Sequence, residues 1–127
     1  PHLGTAGAYA DFEMRFQWRA MREKYNSGFF IRSPENLGKN QINLAKGGEG
    51  KFIGGKLDGA KAVPQLQKPA GEWNEWRVLV VGDQVAFWCN GQPAWEGSGI
   101  KPTTGHIGLQ AEGAPLEFRN LRIRVIE

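Results

Sequence analysis

The sequence predicts an all-β protein in which short strands form a sandwich or a barrel. In several short segments apolar and polar residues alternate, and no segment keeps a helical period over three turns. Glycine accounts for 18 of the 127 residues, about twice its usual share, which indicates frequent turns. A chain of this length can bury one hydrophobic core but not two.

The first three predicted strands lie in the first third of the chain. YADFEMRFQWRA alternates strictly, with one face for Phe12, Met14, Phe16 and Trp18 and the other for Asp11, Glu13, Arg15, Gln17 and Arg19. FFIRS is predicted as a strand that ends before Pro34. In KNQINLA, Gln41 and Asn43 share one face and apolar residues share the other. Such alternation is typical of strands with one buried face.

The middle of the chain predicts turns and a hairpin. The glycines of KGGEGKFIGGK indicate a hairpin or a bulged connection, and GAKAVPQLQKPAGEW is predicted as a surface loop. NEWRVLVVGD and QVAFWCNGQPAWEG follow as strands, and Asn90-Gly91 predicts a type I′ hairpin, which needs positive φ at both central residues. By phase, Trp18 and Trp76 belong to the core, whereas Trp88 and Trp95 are candidate platforms for stacking on a sugar.

Two further strands end the chain and bring the predicted total to seven or eight. In the last one Leu116 and Phe118 alternate in one phase, and Leu121, Ile123 and Val125 alternate in the other. A phase shift of one residue predicts a β-bulge near Arg119-Asn120, which would redirect the Arg119 side chain.

Charge and length exclude several classes of protein. The net charge of +3 and the pI of 9.2 are mildly basic. The one basic cluster, Arg119, Arg122 and Arg124, lies on a strand that also carries core residues, which favours a solvated face over a nucleic-acid site. No apolar run approaches the 18 or so residues that a membrane-spanning helix needs. We expect no nucleic-acid partner and no membrane span.

The single cysteine, Cys89, excludes an intramolecular disulfide and a cysteine metal site. A lone cysteine in a strand is more typical of a small buried side chain than of a catalytic thiol paired with His2 or His106. No His, Asp and Glu residues have metal-ligand spacing. We therefore expect neither a metal nor a cofactor.

Several motifs along the chain are similar to those of one known family. They are YADFEMRF, NSGFFIR, QIN before GGEGKFIGG, AGEWNEWRV, VAFWCNGQPAWEG and GHIGLQAEGAPLEFRNLRI, in this order from Tyr9 to Ile126. The ordered set resembles the 3-keto-disaccharide hydrolase domain family, long catalogued as a domain of unknown function in bacterial secreted proteins.

The resemblance implies a fold, a location and an activity. The fold is a concanavalin A-like jelly-roll β-sandwich of two antiparallel sheets, with a carbohydrate ligand on the concave sheet. The location is the periplasm or the medium, and the activity is cleavage of glycosides whose sugar carries a ketone at carbon 3. Residues 1–127 then form a single jelly-roll domain. Family members usually begin with one or two further strands, which another domain or chain would supply here.

That activity calls for a base that removes the proton on carbon 2 and for donors that stabilise the enolate. Glu112 or His106 is the candidate base, with Arg32 and Gln41 as enolate donors. Arg119, redirected by the bulge, is the candidate ion-pair partner of Glu112.

Three further residues, Asn43, Trp88 and Gln110, complete the candidate substrate contacts. Gln110 shares a face with His106 and Glu112 on one predicted strand, and Asn43 shares a face with Gln41 on another. If these strands adjoin, they form one cleft with a carboxylate, an imidazole, amides and a guanidinium.

Other interpretations of the same residues remain open. Arg32 and Arg119 could neutralise carboxylates inside the sandwich, and Gln41 and Gln110 could be solvated. Glu112 adjoins a Gly-Ala-Pro turn and could be a plain surface carboxylate.

The family pattern also leaves the activity open. Lys39 and Leu44 stand where many members carry acidic residues, and Glu112 stands where many carry histidine. Lys39 and Leu44 favour a non-catalytic carbohydrate-binding module as the alternative, whereas Glu112 with Arg32, Gln41 and Gln110 favours an enzyme. An interaction domain that completes its sandwich with another chain is the third interpretation.

Overall fold

The computed structural model describes residues 2–110 and 115–127, which form a sandwich of two five-stranded antiparallel sheets. The first sheet has the order β1-β9-β3-β4-β5, with β1 at His2–Gly4, β9 at His106–Gln110, β3 at Asn26–Ser33, β4 at Gln41–Ala45 and β5 at Phe52–Ile53. The second sheet has the order β10-β2-β6-β7-β8, with β10 at Leu116–Val125, β2 at Phe12–Ala20, β6 at Trp73–Val81, β7 at Gln84–Cys89 and β8 at Gln92–Ser98.

The predicted sandwich is confirmed, but the described residues form ten strands rather than seven or eight. The two additional strands, β1 and β5, have three and two residues and are too short to show alternation. The predicted loop between β5 and β6 is confirmed, and it contains one 3-10 turn at Pro64–Leu66.

The core lies between the sheets and is dominated by aromatic rings. Phe16 on β2 is fully buried, and its ring centroid lies 5.0 Å from that of Phe29 in the first sheet. The same ring lies 5.8 Å from Trp76 and 6.1 Å from Phe118 in its own sheet. Tilted aromatic pairs at these spacings add stabilisation beyond burial of area. Trp18 is also fully buried, so the predicted core positions of Trp18 and Trp76 are confirmed.

The β7–β8 hairpin and the bulge in β10 are both confirmed. Asn90 and Gly91 have φ angles of 53° and 79°, as the predicted type I′ turn requires. In β10 the register with β2 shifts between Arg119 and Arg122, and Asn120 has a φ of 56°. The bulge keeps the apolar residues on both sides of it facing the core.

Arg32 closes one end of the sandwich. The residue is only 1% exposed and has a φ of 45°, within an irregularity of the β3–β9 pairing. Its guanidinium donates to the carbonyl oxygens of Ala10, Gly82 and Pro102 and lies 3.2 Å from Asp11 Oδ1. These acceptors belong to three separate loops, so one side chain ties the end of both sheets together.

The outer face of the second sheet carries a charge network around Glu13. This carboxylate is 6% exposed and accepts hydrogen bonds from Arg77 Nε at 2.6 Å and Arg124 Nε at 3.3 Å. Burial alone would raise the pKa of Glu13, but the hydrogen bonds and charges of Arg77 and Arg124 outweigh it and hold the pKa below its ordinary value.

We predict that Arg32→Ala destabilises the fold by roughly 3–5 kcal/mol, because it leaves buried carbonyl oxygens and Asp11 without their donor. Urea unfolding at neutral pH measures the free energy of unfolding. Arg22→Ala is the matched control, since Arg22 is an exposed loop arginine and its loss should change little. Equal free energies for the two variants would contradict this role of Arg32.

We also predict that Glu13 makes the fold sensitive to acid. Because its pKa is lower in the folded than in the unfolded chain, its stabilisation is present at neutral pH and is lost as the pH falls below about 4.5 through the folded pKa. Glu13→Gln should be less stable than wild type at pH 7, and its free energy of unfolding should decline less between pH 5 and about 3.

Urea unfolding at a series of pH values compares the two proteins. The control is Glu117→Gln, which removes the half-exposed carboxylate that pairs with Arg19 on the same face and should keep the wild-type acid response. Parallel pH dependences for wild type and Glu13→Gln would count against the prediction.

Candidate functional site

The outer face of the first sheet brings together four of the predicted site residues. Strands β9, β3 and β4 adjoin in that order, as the prediction of a shared cleft required. His106 and Gln110 on β9 and Gln41 and Asn43 on β4 alternate with residues of the core cluster and therefore point away from the core. All four side chains are half-buried.

Gln41 lies across the middle strand of this group. A Cβ atom at Gly28 on β3 would overlap the side-chain amide of Gln41, so the absence of a side chain at Gly28 provides the space for that amide. The register pairs Gly28 with Asn43, whose Nδ2 donates to the carbonyl oxygen of Gly48 at 3.4 Å. The two amides thus lie side by side on one face, with hydrogen-bonding capacity for a polar ligand.

Leu37 covers the β1–β9 side of the face. It belongs to the β3–β4 loop, is 3% exposed, and its Cδ1 lies where a Cβ atom at Gly108 would lie. Cβ atoms at Gly4 and Gly108 would both meet Leu37, so these glycines form the surface on which the loop packs. Leu37 therefore lies between His106 at one end of β9 and the region around Gln41, Asn43 and Gln110 at the other.

His106 is held in one orientation. Its Nδ1 lies 2.9 Å from the backbone carbonyl oxygen of Thr5, and Thr5 Oγ1 in turn accepts the amide of Ile107. A carbonyl oxygen can only accept, so Nδ1 carries the proton and a neutral imidazole presents Nε2 as an unprotonated base. This geometry is what a general base requires.

The imidazole lines a cleft of about 530 Å³ at one end of this face. Ser33, Lys39, Asn40 and Lys101 contribute to the same cleft. Asn40 is 4% exposed and donates to the carbonyl oxygens of Arg32 at 3.0 Å and Lys101 at 2.7 Å, which fixes the segments on either side. The lining of the cleft thus includes one imidazole, the exposed lysines Lys39 and Lys101, and the exposed carboxylate-bearing residue Glu35.

Lys101 and Asn40 are residues that the sequence analysis did not single out. Lys101 lies in the loop before β9, and nothing in the sequence of that loop indicates that it approaches the end of β3. Asn40 has a φ of 58°, and asparagine in a left-handed conformation is the one signal that could have indicated a structural role, but φ is not visible in a sequence.

The two predicted ligand arginines are engaged with other groups, although Arg32 lines the cleft of His106. The guanidinium of Arg32 makes five hydrogen bonds to acceptors of the loops that it joins, which matches its five N–H groups, so it has no donor left for a substrate. Arg119 lies on the outer face of the second sheet, where its guanidinium stacks 3.7 Å above Trp73 and donates to Gln17 Oε1 at 2.7 Å.

The two candidate tryptophans do not lie on the outer face of the first sheet with the other predicted site residues. Trp88 is on the outer face of the second sheet, with Arg77 stacked 4.2 Å from its ring centroid. Trp95 is 7% exposed in the core, and its Nε1 donates to the carbonyl oxygen of Gly50. The interpretation of Trp95 as a sugar platform is wrong, because its position in β8 points inward.

Glu112 lies outside the described residues, so its role as base stays a prediction. Gln110, two residues earlier, is the last described residue of its strand.

Two other reactive groups are buried in the core. Cys89 is fully buried, and burial raises the pKa of its thiol to about 11. Glu49 is 2% exposed and accepts a hydrogen bond from the Tyr25 hydroxyl. Neither group reaches the cleft of His106. Within residues 2–110 and 115–127, no three His, Cys, Asp or Glu side chains are placed to hold a metal ion, and no helix is long and apolar enough to cross a membrane.

Solved structures with the same fold include two from Parabacteroides distasonis ATCC 8503 that are described as candidate glycosyl hydrolases. One aligns with a TM-score of 0.78 at 23% identity, over 98% of this chain and 83% of that one. The other has a TM-score of 0.73 at 19% identity, over 98% and 74%. Carbohydrate-binding module CBM66 from Bacillus subtilis aligns with a TM-score of 0.71 at 12% identity, over 93% and 77%. These likenesses confirm the concanavalin A-like jelly-roll sandwich that the sequence predicted.

No curated protein matches the sequence at a significant level. The sequence matches the profile of one family, the 3-keto-alpha-glucoside-1,2-lyase-like domain, over residues 1–124. Because that match spans nearly all of the 127 residues, the chain belongs to the 3-keto-alpha-glucoside-1,2-lyase-like domain family, the one that the order of its motifs predicted.

Proposed function

We propose that this domain binds a carbohydrate on the outer face of the first sheet and cleaves glycosides whose sugar ring carries a ketone at carbon 3. The observation that carries the proposal is His106. Its Nδ1 is committed to the Thr5 carbonyl oxygen, which leaves Nε2 as a base in a cleft that also contains Lys39 and Lys101.

The reaction is an elimination followed by addition of water. His106 Nε2 removes the proton from carbon 2, which the neighbouring ketone acidifies, and the electron pair moves onto the ketone oxygen as an enolate. The enolate then re-forms the ketone, the carbon 1–carbon 2 double bond forms, and the glycosidic oxygen leaves carbon 1 with its bonding electrons and takes a proton. Water adds across the double bond to give the free 3-keto sugar.

The lysines of the cleft suit the charge that develops in this reaction. An ammonium group in a partly enclosed cleft stabilises an enolate oxygen most strongly when it is already in place. Lys39 stands where many family members carry an acid, so this chain has a cation at a position where those members have an anion. With Arg32 fully engaged elsewhere, Lys39 and Lys101 take the role of enolate stabiliser, and Gln41 with Asn43 takes the sugar hydroxyls.

The second departure from the family pattern bears less on the chemistry. Leu44 is fully buried and belongs to the core cluster, on the side of β4 opposite Gln41. A carboxylate missing from position 44 is therefore missing from the inner face of this sandwich and not from the ligand face.

The second candidate function is a carbohydrate-binding module without activity. The amides of Gln41, Asn43 and Gln110 on one face favour it, because amide groups bind sugar hydroxyls without any need for a base.

We further propose that the domain works outside the bacterial cytoplasm, in the periplasm or the medium, which its family membership supports. A second domain or chain that completes the sandwich is part of the same proposal. It is supported by core-facing residues of β10, Leu121 and Ile123, that remain 45% and 36% exposed.

We predict that the protein releases sugar from a 3-keto-disaccharide and not from the unoxidised parent disaccharide, which lacks an acidic proton on carbon 2. Transient absorbance of the conjugated enone reports the elimination step separately from hydrolysis. His106→Gln should lower kcat/KM for the keto substrate by roughly 10²–10⁴-fold, the usual contribution of a general base. Glu112→Gln is assayed in parallel as the other candidate base.

The outcomes separate the alternatives. Full activity in His106→Gln with loss in Glu112→Gln would transfer the role of base to Glu112. Cleavage of neither disaccharide by wild type, together with a rise in Tm on addition of sugar, would replace the enzyme by the binding module.

We also predict that Gln41→Ala weakens sugar binding by roughly tenfold, the equivalent of one lost hydrogen bond of about 1.4 kcal/mol. Titration calorimetry with the unoxidised disaccharide measures the Kd without turnover. Gln84→Ala, which removes an exposed amide from the second sheet, is the matched control and should bind as wild type does. Equal weakening in both variants would show that the first sheet is not the ligand face.

A further inference from the structure

The sandwich has an apolar opening on the side where β1 of the first sheet faces β10 of the second. We call this opening the seam. It is a cleft of about 230 Å³ whose apolar lining includes Leu3, Met14, Phe29, Leu109, Leu121 and Ile123. Met14, Phe29 and Leu109 belong to the core cluster, so the seam opens directly onto the core.

Side chains that should be buried are exposed along the seam. Ile123 and Val125 pair with Met14 and Phe12 and so point toward the core, yet Val125 is 57% exposed. Leu3 on the opposite side is 63% exposed. The reason is geometric, since β1 has only three residues while β10 has ten, and the first sheet does not reach across the second. Exposed apolar surface of this kind indicates an interaction site.

The free backbone edge of β10 favours an extended segment as the ligand of the seam. β10 is the last strand of its sheet and pairs with β2 alone among the described strands. Its other edge therefore carries backbone N–H and C=O groups with no strand beside them. An extended segment can bond to this edge while it inserts alternate side chains into the seam, as in other cases of strand addition.

The positive charges beside this edge indicate which side chains that segment should carry. On the outer face of the second sheet, Arg15, Arg77 and Arg124 share the single carboxylate of Glu13, and Arg122 lies 3.7 Å from Glu75. Arg122 and Arg124 are 61% and 67% exposed and alternate with Ile123 and Val125. A strand added to β10 thus meets apolar contacts on one face and surplus positive charge on the other.

A second copy of β10 does not fit these requirements. An antiparallel pairing centred on Ile123 keeps the apolar residues over the seam but places Arg122 opposite Arg124 of the other copy. Like charges directly opposite each other destabilise a strand pair. Self-association through this edge is therefore disfavoured.

We propose that the seam is the docking site for an extended segment of a second protein, in which apolar residues alternate with Asp or Glu and which pairs with β10. The proposal rests on the proposed need for a partner that completes the sandwich, and it is independent of the sugar chemistry on the first sheet. The segment adds a sixth strand to the second sheet and covers Leu3, Leu121 and Ile123.

The test uses three synthetic ten-residue peptides with blocked ends and the 127-residue chain. One alternates Val with Glu, the second has Lys in place of Glu, and the third is the first with two central prolines. We expect the Glu peptide to bind at least tenfold more tightly than the Lys peptide at low salt, with the difference declining as salt screens the charges. The proline peptide should not bind, since it cannot pair with β10.

Two variants and one independent measurement accompany the titrations. Arg122→Glu should reduce or reverse the preference between the Glu and Lys peptides, and Ile123→Ser should weaken both peptides. Neither residue belongs to the proposed sugar site, so cleavage of the keto substrate should persist in both variants. Hydrogen exchange should show that the Glu peptide protects backbone amides of residues 121–125.

Equal binding of the Glu and Lys peptides would overturn the acidic composition while leaving a partner for the seam. Binding of the proline peptide at the same strength would overturn strand addition. Sedimentation that shows a dimer of the free chain, dissociated by Ile123→Ser, would assign the seam to a second copy. Absence of binding by every peptide, with β10 amides already protected in the free chain, would overturn both the docking site and the proposed partner.

Discussion

The ring contact between Phe16 and Phe29 joins the two sheets, and the rest of the structure depends on it. Phe16 lies on β2, which pairs with β10 on one side and β6 on the other, and its ring packs on Phe29 of β3, the central strand of the opposing sheet. Because Trp76 and Phe118 pack on the same ring, both neighbours of β2 are held by one cluster. Any displacement of Phe16 would therefore disturb the packing of β2 and of both its neighbours.

Because the side chains on the inner faces of the two sheets form this core, the groups that could bind a ligand lie on the outer faces. On the first sheet, two glycines leave room for larger side chains. Gly28 allows the Gln41 amide to lie across β3, and Gly108 allows Leu37 to pack on β9. The outer face of the second sheet is filled differently, by arginines stacked on Trp73 and Trp88 and by shared carboxylates. The first face therefore has open amide groups and a cleft, whereas the aromatic rings of the second are already covered on at least one side by guanidinium groups.

The sequence predicted the features that depend on neighbours in the chain. Alternation identified the main strands, the Asn90-Gly91 pair identified its hairpin, and a phase shift located the bulge of β10. It did not predict where Arg32 and Arg119 lie, because the sheet that each strand joins is decided by contacts between residues far apart in sequence. The same limit explains Trp95, which adjoins a turn and looked exposed, although the pairing of β8 with β7 directs its ring inward. Of the site, the shared face of Gln41 with the β9 residues was predictable, and the lysine cleft was not.

The proposed elimination requires few groups from this scaffold, and the buried core residues offer no alternative nucleophile. The thiol of Cys89 remains protonated at neutral pH, because burial raises its pKa to about 11, and Glu49 is enclosed with Tyr25. Neither can act as a nucleophile on a sugar at the surface, so a mechanism through a covalent intermediate has no group to support it among these core residues. The proposed proton abstraction needs one oriented base and a cation near the developing enolate, and we propose His106 and Lys39, which line the same cleft, for these two roles. In this proposal the ketone of the substrate acidifies the proton on carbon 2, so the reaction needs no second carboxylate of the kind that glycosidases use on unoxidised sugars.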